Sequence, residues 1–102
     1  MPRKLLIDHA IAGTYHAVDA DYLAILDEGE TLKLVREPDN KYDPHAVRID
    51  HGEQKLGYIP ALYSQMVSAL IDSKLVSLRA TVGDTVVPKK ALVHFQLWLD
   101  VP

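Results

Sequence analysis

The chain of 102 residues contains no cysteine, which excludes disulfide scaffolds, thiolate zinc sites, thiol nucleophiles and CxxC redox chemistry. Long apolar runs are also missing, so no segment has the roughly 20 residues needed to span a bilayer as a helix. The opening Met1-Pro2-Arg3-Lys4-Leu5-Leu6-Ile7-Asp8 has too short an apolar run for the core of a signal peptide. The expectation is therefore a soluble, cytoplasmic protein with no membrane contact. Positive charge is scarce: 11 Lys and Arg against 14 Asp and Glu give a net charge of −3. This argues against coating nucleic acid through bulk charge, but leaves room for a narrow site that takes one chain end. There is no GxSxG, P-loop or Gly-rich dinucleotide turn, and no HxxxH or HExxH pattern. His9, His16, His45, His51 and His94 are scattered, so neither a catalytic centre, nor a metal site, nor a cofactor is expected.

What is present is a series of short alternating segments separated by turn chemistry. Leu32 and Leu34 alternate with Thr31 and Lys33, and Val47 and Ile49 with Arg48 and Asp50. This period of two predicts half-buried strands at 31–36 and 46–50. His51-Gly52-Glu53-Gln54 reads as a turn, so 46–59 is a predicted hairpin with its second strand at 55–59. Further strands are predicted at 76–82 and at 91–101. In the last, Phe95 and Trp98 fall on opposite faces, one for the core and one for the rim. The first strand is placed at about 7–16, and 19–30 is ambiguous between strand and helical turn. From Pro60 to Ser73 the period changes: Leu62, Met66, Ala69 and Leu70, widened by Tyr63 and Val67, form a stripe suited to a helix packed on a sheet. Consecutive short strands with one helix at about 60–73 predict a mainly β fold, a small bent barrel of about six strands in a single domain spanning 1–102.

The least ordinary stretch runs Leu34-Val35-Arg36-Glu37-Pro38-Asp39-Asn40-Lys41-Tyr42-Asp43-Pro44-His45-Ala46-Val47. Two prolines, two Asp and an Asn between two strands make a hydrogen-bonded connection rather than a loose one. This run, followed by Lys55-Leu56-Gly57-Tyr58-Ile59-Pro60 and a helix ending Leu70-Ile71-Asp72-Ser73, resembles the HIRAN domain family over about residues 9–82. The resemblance implies an OB-like β-barrel, closed or partly open, which binds single-stranded DNA ends carrying a free 3′-hydroxyl. It also implies helicases, nucleases or other DNA-processing proteins as partners. By the same resemblance Tyr42 stacks on a terminal base, Asp43 accepts from the 3′-hydroxyl, and Asn40 and Tyr58 occupy further motif positions. Ala12-Gly13-Thr14-Tyr15-His16 resembles the family's Gly-x-Arg-Tyr segment but departs from it, with Tyr15 at the arginine and His16 at the aromatic.

The chemistry of these residue types agrees with such a site. Stacking a base on an aromatic ring contributes roughly 1–3 kcal/mol whatever the base, which suits Tyr42, Tyr58 and Tyr15 or His16. An Asp beside phosphates makes sense where it accepts from a hydroxyl, which a strand end supplies and a 3′-phosphate does not. Arg36 and Lys41 are candidates to offset phosphates. Plainer roles stand beside these. Asp43 suits a turn start with its carboxylate on nearby N–H groups, and Asn40 suits bonding its own turn. Arg36 suits pairing with Glu37 or Asp43, and Tyr58 suits packing under the helix. Two other functions also fit: a protein-interaction module using the same tyrosines or an exposed strand, and, with less support, a hydrolase of nucleotides or nucleic-acid ends using Asp39 and Asp43.

Overall fold

The computed structural model describes residues 2–101. Its six strands are β1 (Arg3–Ala10), β2 (Thr31–Arg36), β3 (Val47–His51), β4 (Gln54–Tyr58), β5 (Ser77–Val87) and β6 (Leu92–Asp100). They form one antiparallel sheet in the order β1-β6-β5-β2-β3-β4. Inward residues of facing strands, among them Leu32, Val47, Ile49, Val82, Phe95 and Leu97, make the core. The alternation expected for the last strand holds, with Phe95 fully buried and Trp98 half-buried under the Arg3 guanidinium, 4.3 Å from the ring centre.

The sheet curls until its edges meet at one point. Past the end of β1, the Ala12 N–H donates to the Tyr58 carbonyl and the Tyr58 N–H to the Ala12 carbonyl, both at 2.9 Å. Elsewhere β1 and β4 are not paired, so the OB-like barrel is partly open. The crossing point explains Gly57. Its φ is +150°, and a Cβ there would stand 2.3 Å from the Ala12 carbonyl oxygen. Only glycine lets the two backbones approach this closely.

Three elements differ from the sequence expectation. The first strand starts earlier and stops at Ala10 rather than continuing to 16. Gly13, at φ 77°, turns the chain, and Thr14–Ala17 forms a single helical turn, α1. The ambiguous 19–30 stretch contains another helical turn, α2 (Ala20–Leu23), where the Asp19 carboxylate caps the Tyr22 N–H at 3.0 Å. β5 runs on to Val87, past the expected end at 82, through an irregular pairing between Val82 and Val86.

The main helix, α3 (Ala61–Ser73), forms where its period placed it and buries one side of the expected stripe, at Tyr63 and Val67, but not the side of Leu62 and Met66. Ser64, Val67 and Ser68 are buried and Tyr63 and Ile71 half-buried, whereas Leu62 is 77% and Met66 46% exposed. The cause is polar. The Ser64 hydroxyl donates to Asp43 at 2.8 Å, and Ser68 lies 3.5 Å from the His45 ring nitrogen Nδ1. The serines therefore seat the helix on the loop before β3 and turn Leu62 and Met66 outward.

Candidate functional site

The loop between β2 and β3 is built from its own hydrogen bonds. Its ends are tied by the Glu37 N–H donating to the Ala46 carbonyl at 3.0 Å. Inside it, the Asn40 side-chain oxygen accepts from the N–H groups of Tyr42 (2.9 Å) and Asp43 (3.1 Å). One Asp43 oxygen accepts from the His45 N–H at 2.8 Å, and the other from the Ser64 hydroxyl at 2.8 Å. These are Asx-type turns, so the turn roles of Asn40 and Asp43 are present. With its neighbours fixed in this way, Tyr42 projects outward and is 86% exposed. The Lys41 ammonium lies 5.3 Å from the centre of its ring.

Glu37 anchors the loop's other side. Oε1 accepts from the Tyr58 hydroxyl at 2.8 Å and the Asn40 amide at 3.1 Å, while Oε2 accepts from Arg48 at 3.1 Å. Arg48 also holds the buried Asp50 through two bonds of 2.8 and 2.9 Å, although strand alternation had placed Asp50 on the polar face. Burial pushes the Glu37 carboxyl up, but hydrogen bonds from Asn40, Tyr58 and Arg48 and the Arg48 charge outweigh it and hold it below the usual carboxylate range. The Asp43 carboxyl is lowered too, mainly by the His45 N–H and then by Ser64. Asp43 is therefore an ionised acceptor at neutral pH. Two oxygens carry about four acceptor positions, so the two internal bonds leave capacity for a ligand hydroxyl.

Asn40, Tyr42, Asp43 and Tyr58 converge on one groove of about 410 Å³, bordered by Ala12 and Lys55. Lys55 was not foreseen. Strict alternation places residues 55 and 58 on opposite faces, but pairing shifts between Ile49 and Asp50, leaving Leu56 as an extra residue in β4. Leu56 and Gly57 both turn inward, so Lys55 and Tyr58 share the outer face. The Lys55 ammonium lies 4.6 Å from the Tyr58 ring centre. The groove thus offers aromatic faces, an ammonium group and an ionised carboxylate, a combination suited to a ligand with a flat π system, a phosphate and a hydroxyl.

The remaining candidates lie elsewhere. The Arg36 guanidinium pairs with Asp72 of α3 at 3.1 Å and donates to the Ala46 carbonyl at 3.0 Å, rather than pairing with Glu37 or Asp43. It tethers the helix to the loop and does not line the groove. Tyr15, 79% exposed, stands edge-on to His16 at 5.1 Å and lines a separate groove.

The chain is similar to several known proteins. Two plant proteins described as Fanconi-associated nuclease 1 homologs align with it. That from Oryza sativa subsp. japonica is 31% identical over 72% of this chain, and that from Arabidopsis thaliana 37% identical over 65%. The aligned part of this chain spans only 8% and 7% of their lengths. The crystal structure of a protein from Lactobacillus plantarum superposes with a TM-score of 0.81 at 26% identity, covering 96% of this chain and 95% of that one. The HIRAN domain of human HLTF superposes with a TM-score of 0.70 over 96% of this chain and 80% of that one, and at 17% identity it shows a common fold. The HIRAN domain profile matches residues 6–101, wider than the 9–82 of the recognised motifs, and the chain belongs to the HIRAN domain family.

Proposed function

We propose that this domain binds the end of single-stranded DNA at the groove between the β2–β3 loop and β4, and that it reads the 3′-hydroxyl. The observation that carries the reading is Tyr42, an aromatic ring 86% exposed at the lip of a groove that also holds Asp43, Tyr58 and Lys55. A ring with so little packing contributes little to folding and is suited to receive a base. Tyr42 and Tyr58 stack on terminal bases, Lys55 and Lys41 offset phosphates, and Asp43 accepts from the 3′-hydroxyl while Asn40 fixes the loop that presents both. Membership of the HIRAN family is consistent with a DNA-binding module, and the nuclease homologs with which it aligns fit a DNA-processing setting. In this reading the domain binds and does not catalyse.

Because few phosphates are engaged, binding is weak, with a shallow dependence on salt. The test is a fluorescence anisotropy titration with oligonucleotides that end in a 3′-hydroxyl or a 3′-phosphate. The 3′-hydroxyl strand should bind more tightly; equal affinity, or none, rejects end recognition. Asp43→Ala should abolish the preference, with the melting temperature followed in parallel because Asp43 also bonds His45 and Ser64. A preference that survives in the folded variant assigns Asp43 to the loop alone.

A further inference from the structure

We propose that a strand whose end occupies this groove continues over α1 into a second groove, where Tyr15 stacks a base and Lys89 and Lys90 hold phosphates. The proposal rests on the strand-end reading and extends it to the path of the chain behind the end.

The second groove, about 380 Å³, is lined by Tyr15 on one side and by Pro88, Lys89 and Lys90 on the other. Tyr15 is 79% exposed, and its edge-on contact with His16 covers at most one face of the ring. Lys89 and Lys90 are both exposed and belong to a 3₁₀ turn, Pro88–Lys90, closed by Ala91 at φ 50° with its N–H donating to the Pro88 carbonyl at 3.0 Å. Neither lysine has an ion-pair partner among the described residues. The acidic residue in this groove, Asp19, is engaged as the cap of α2. Two lysines against one aspartate make the groove locally positive in a chain whose net charge is −3.

The two grooves are neighbours through the chain itself. Ala12 borders the first and Tyr15 the second, and three peptide steps separate their Cα atoms by at most about 11 Å. OB-type barrels engage about 4–16 nucleotides, so a strand anchored by its end has to leave the first groove across some part of the surface. The other directions are less suited. The depression at Arg36 presents a guanidinium already held by Asp72. The hollow between α1, α2 and β4 is lined by Asp19 and Asp21. Across α1, an open aromatic ring and two unpaired ammonium groups meet the strand, the pairing that sequence-tolerant binding of single strands uses.

The experiment measures competition by oligothymidylates of two to ten nucleotides, each with a 3′-hydroxyl, against the wild type, Tyr15→Ala and the Lys89→Ala/Lys90→Ala double variant. The wild type should gain affinity with length. Both variants should retain the wild-type affinity for the two-nucleotide ligand and weaken binding of the longest, Tyr15→Ala by roughly fivefold or more, the lower end of what one lost stack removes. The double variant should also lower the salt slope for long strands by about 1.4, which is 0.7 for each phosphate contact. Equal losses at every length, or none at any, overturn the path. The strand-end reading is judged separately by the two-nucleotide ligand with 3′-hydroxyl or 3′-phosphate, on which the second groove has no bearing. All three side chains are exposed, and matching melting temperatures verify that the variants fold.

Discussion

Tyr42 and Glu37 belong to one loop and carry opposite loads. The Tyr42 ring is 86% exposed and supports nothing beneath it, while Glu37 accepts from Tyr58, Asn40 and Arg48. Tyr42→Ala should leave the melting temperature unchanged and weaken oligonucleotide binding by about 1–3 kcal/mol, the value of one stack. Glu37→Ala should act the other way round. It leaves three half-buried donors without their acceptor, at a cost of about 1–2 kcal/mol in thermal unfolding, and it frees the Tyr58 ring that it positions. A Tyr42→Ala protein that melts early, or a Glu37→Ala protein as stable as the wild type, contradicts this division. The sequence made Asn40, Tyr42, Asp43 and Tyr58 visible as a pattern, because their spacing is local or tied to a short hairpin. It did not reveal that Arg36 is taken by Asp72, since that pair joins residues 36 positions apart.

Among the elements, β4 bears the sharpest constraint. Gly57 holds φ +150° where the Ala12 backbone crosses, with room for no Cβ. Gly57→Ala should cost about 2–4 kcal/mol through backbone strain and the broken approach. It should lower the urea midpoint and speed hydrogen exchange at the Ala12 and Tyr58 amides; wild-type exchange there means the crossing is not under strain. Since Ala12 and Tyr58 border the groove, the same variant should weaken oligonucleotide binding. Helix α3 illustrates how an element can be foreseen while its orientation is not. The period identified a helix, but Leu62 and Met66 lost the inner face because Ser64 and Ser68 bond the loop. Apolar periodicity counts side chains and does not see a polar partner supplied by another element.

For the molecule as a whole, acid titration reports the carboxylates that the fold holds. Glu30 is lowered chiefly by the hydrogen bond from His51, with the Asp27 N–H adding to it, and Asp43 by the His45 N–H. At Glu37, the bonds from Asn40, Tyr58 and Arg48 outweigh the opposing effect of burial. All three take up a proton less readily when folded than when unfolded. Their contribution is complete above the ordinary carboxylate range and is lost as pH falls through the lowered folded values. The urea midpoint should therefore stay level for these groups between about pH 6 and 8 and drop below about pH 4. A midpoint that climbs on acidification contradicts the direction of these shifts.

What could be read along the chain was whatever rests on short-range regularity: four strands from alternation and a fifth from the hairpin turn, one helix from its period, a rigid loop from Asn, Asp and Pro, and a family likeness from motif spacing. What required the folded chain was whatever joins distant segments or breaks a regular phase. The extra residue in β4 moved Lys55 to the face of Tyr58, and the serine contacts turned α3 about its axis. The curl of the sheet brought Ala12 to Gly57, and the turn at Gly13 carried Tyr15 out of the first groove toward Lys89 and Lys90. Side-chain period encodes which face a residue takes only while the backbone keeps its step. Bulges, left-handed turns and long-range hydrogen bonds change that step, and they are decided by packing among elements far apart in sequence.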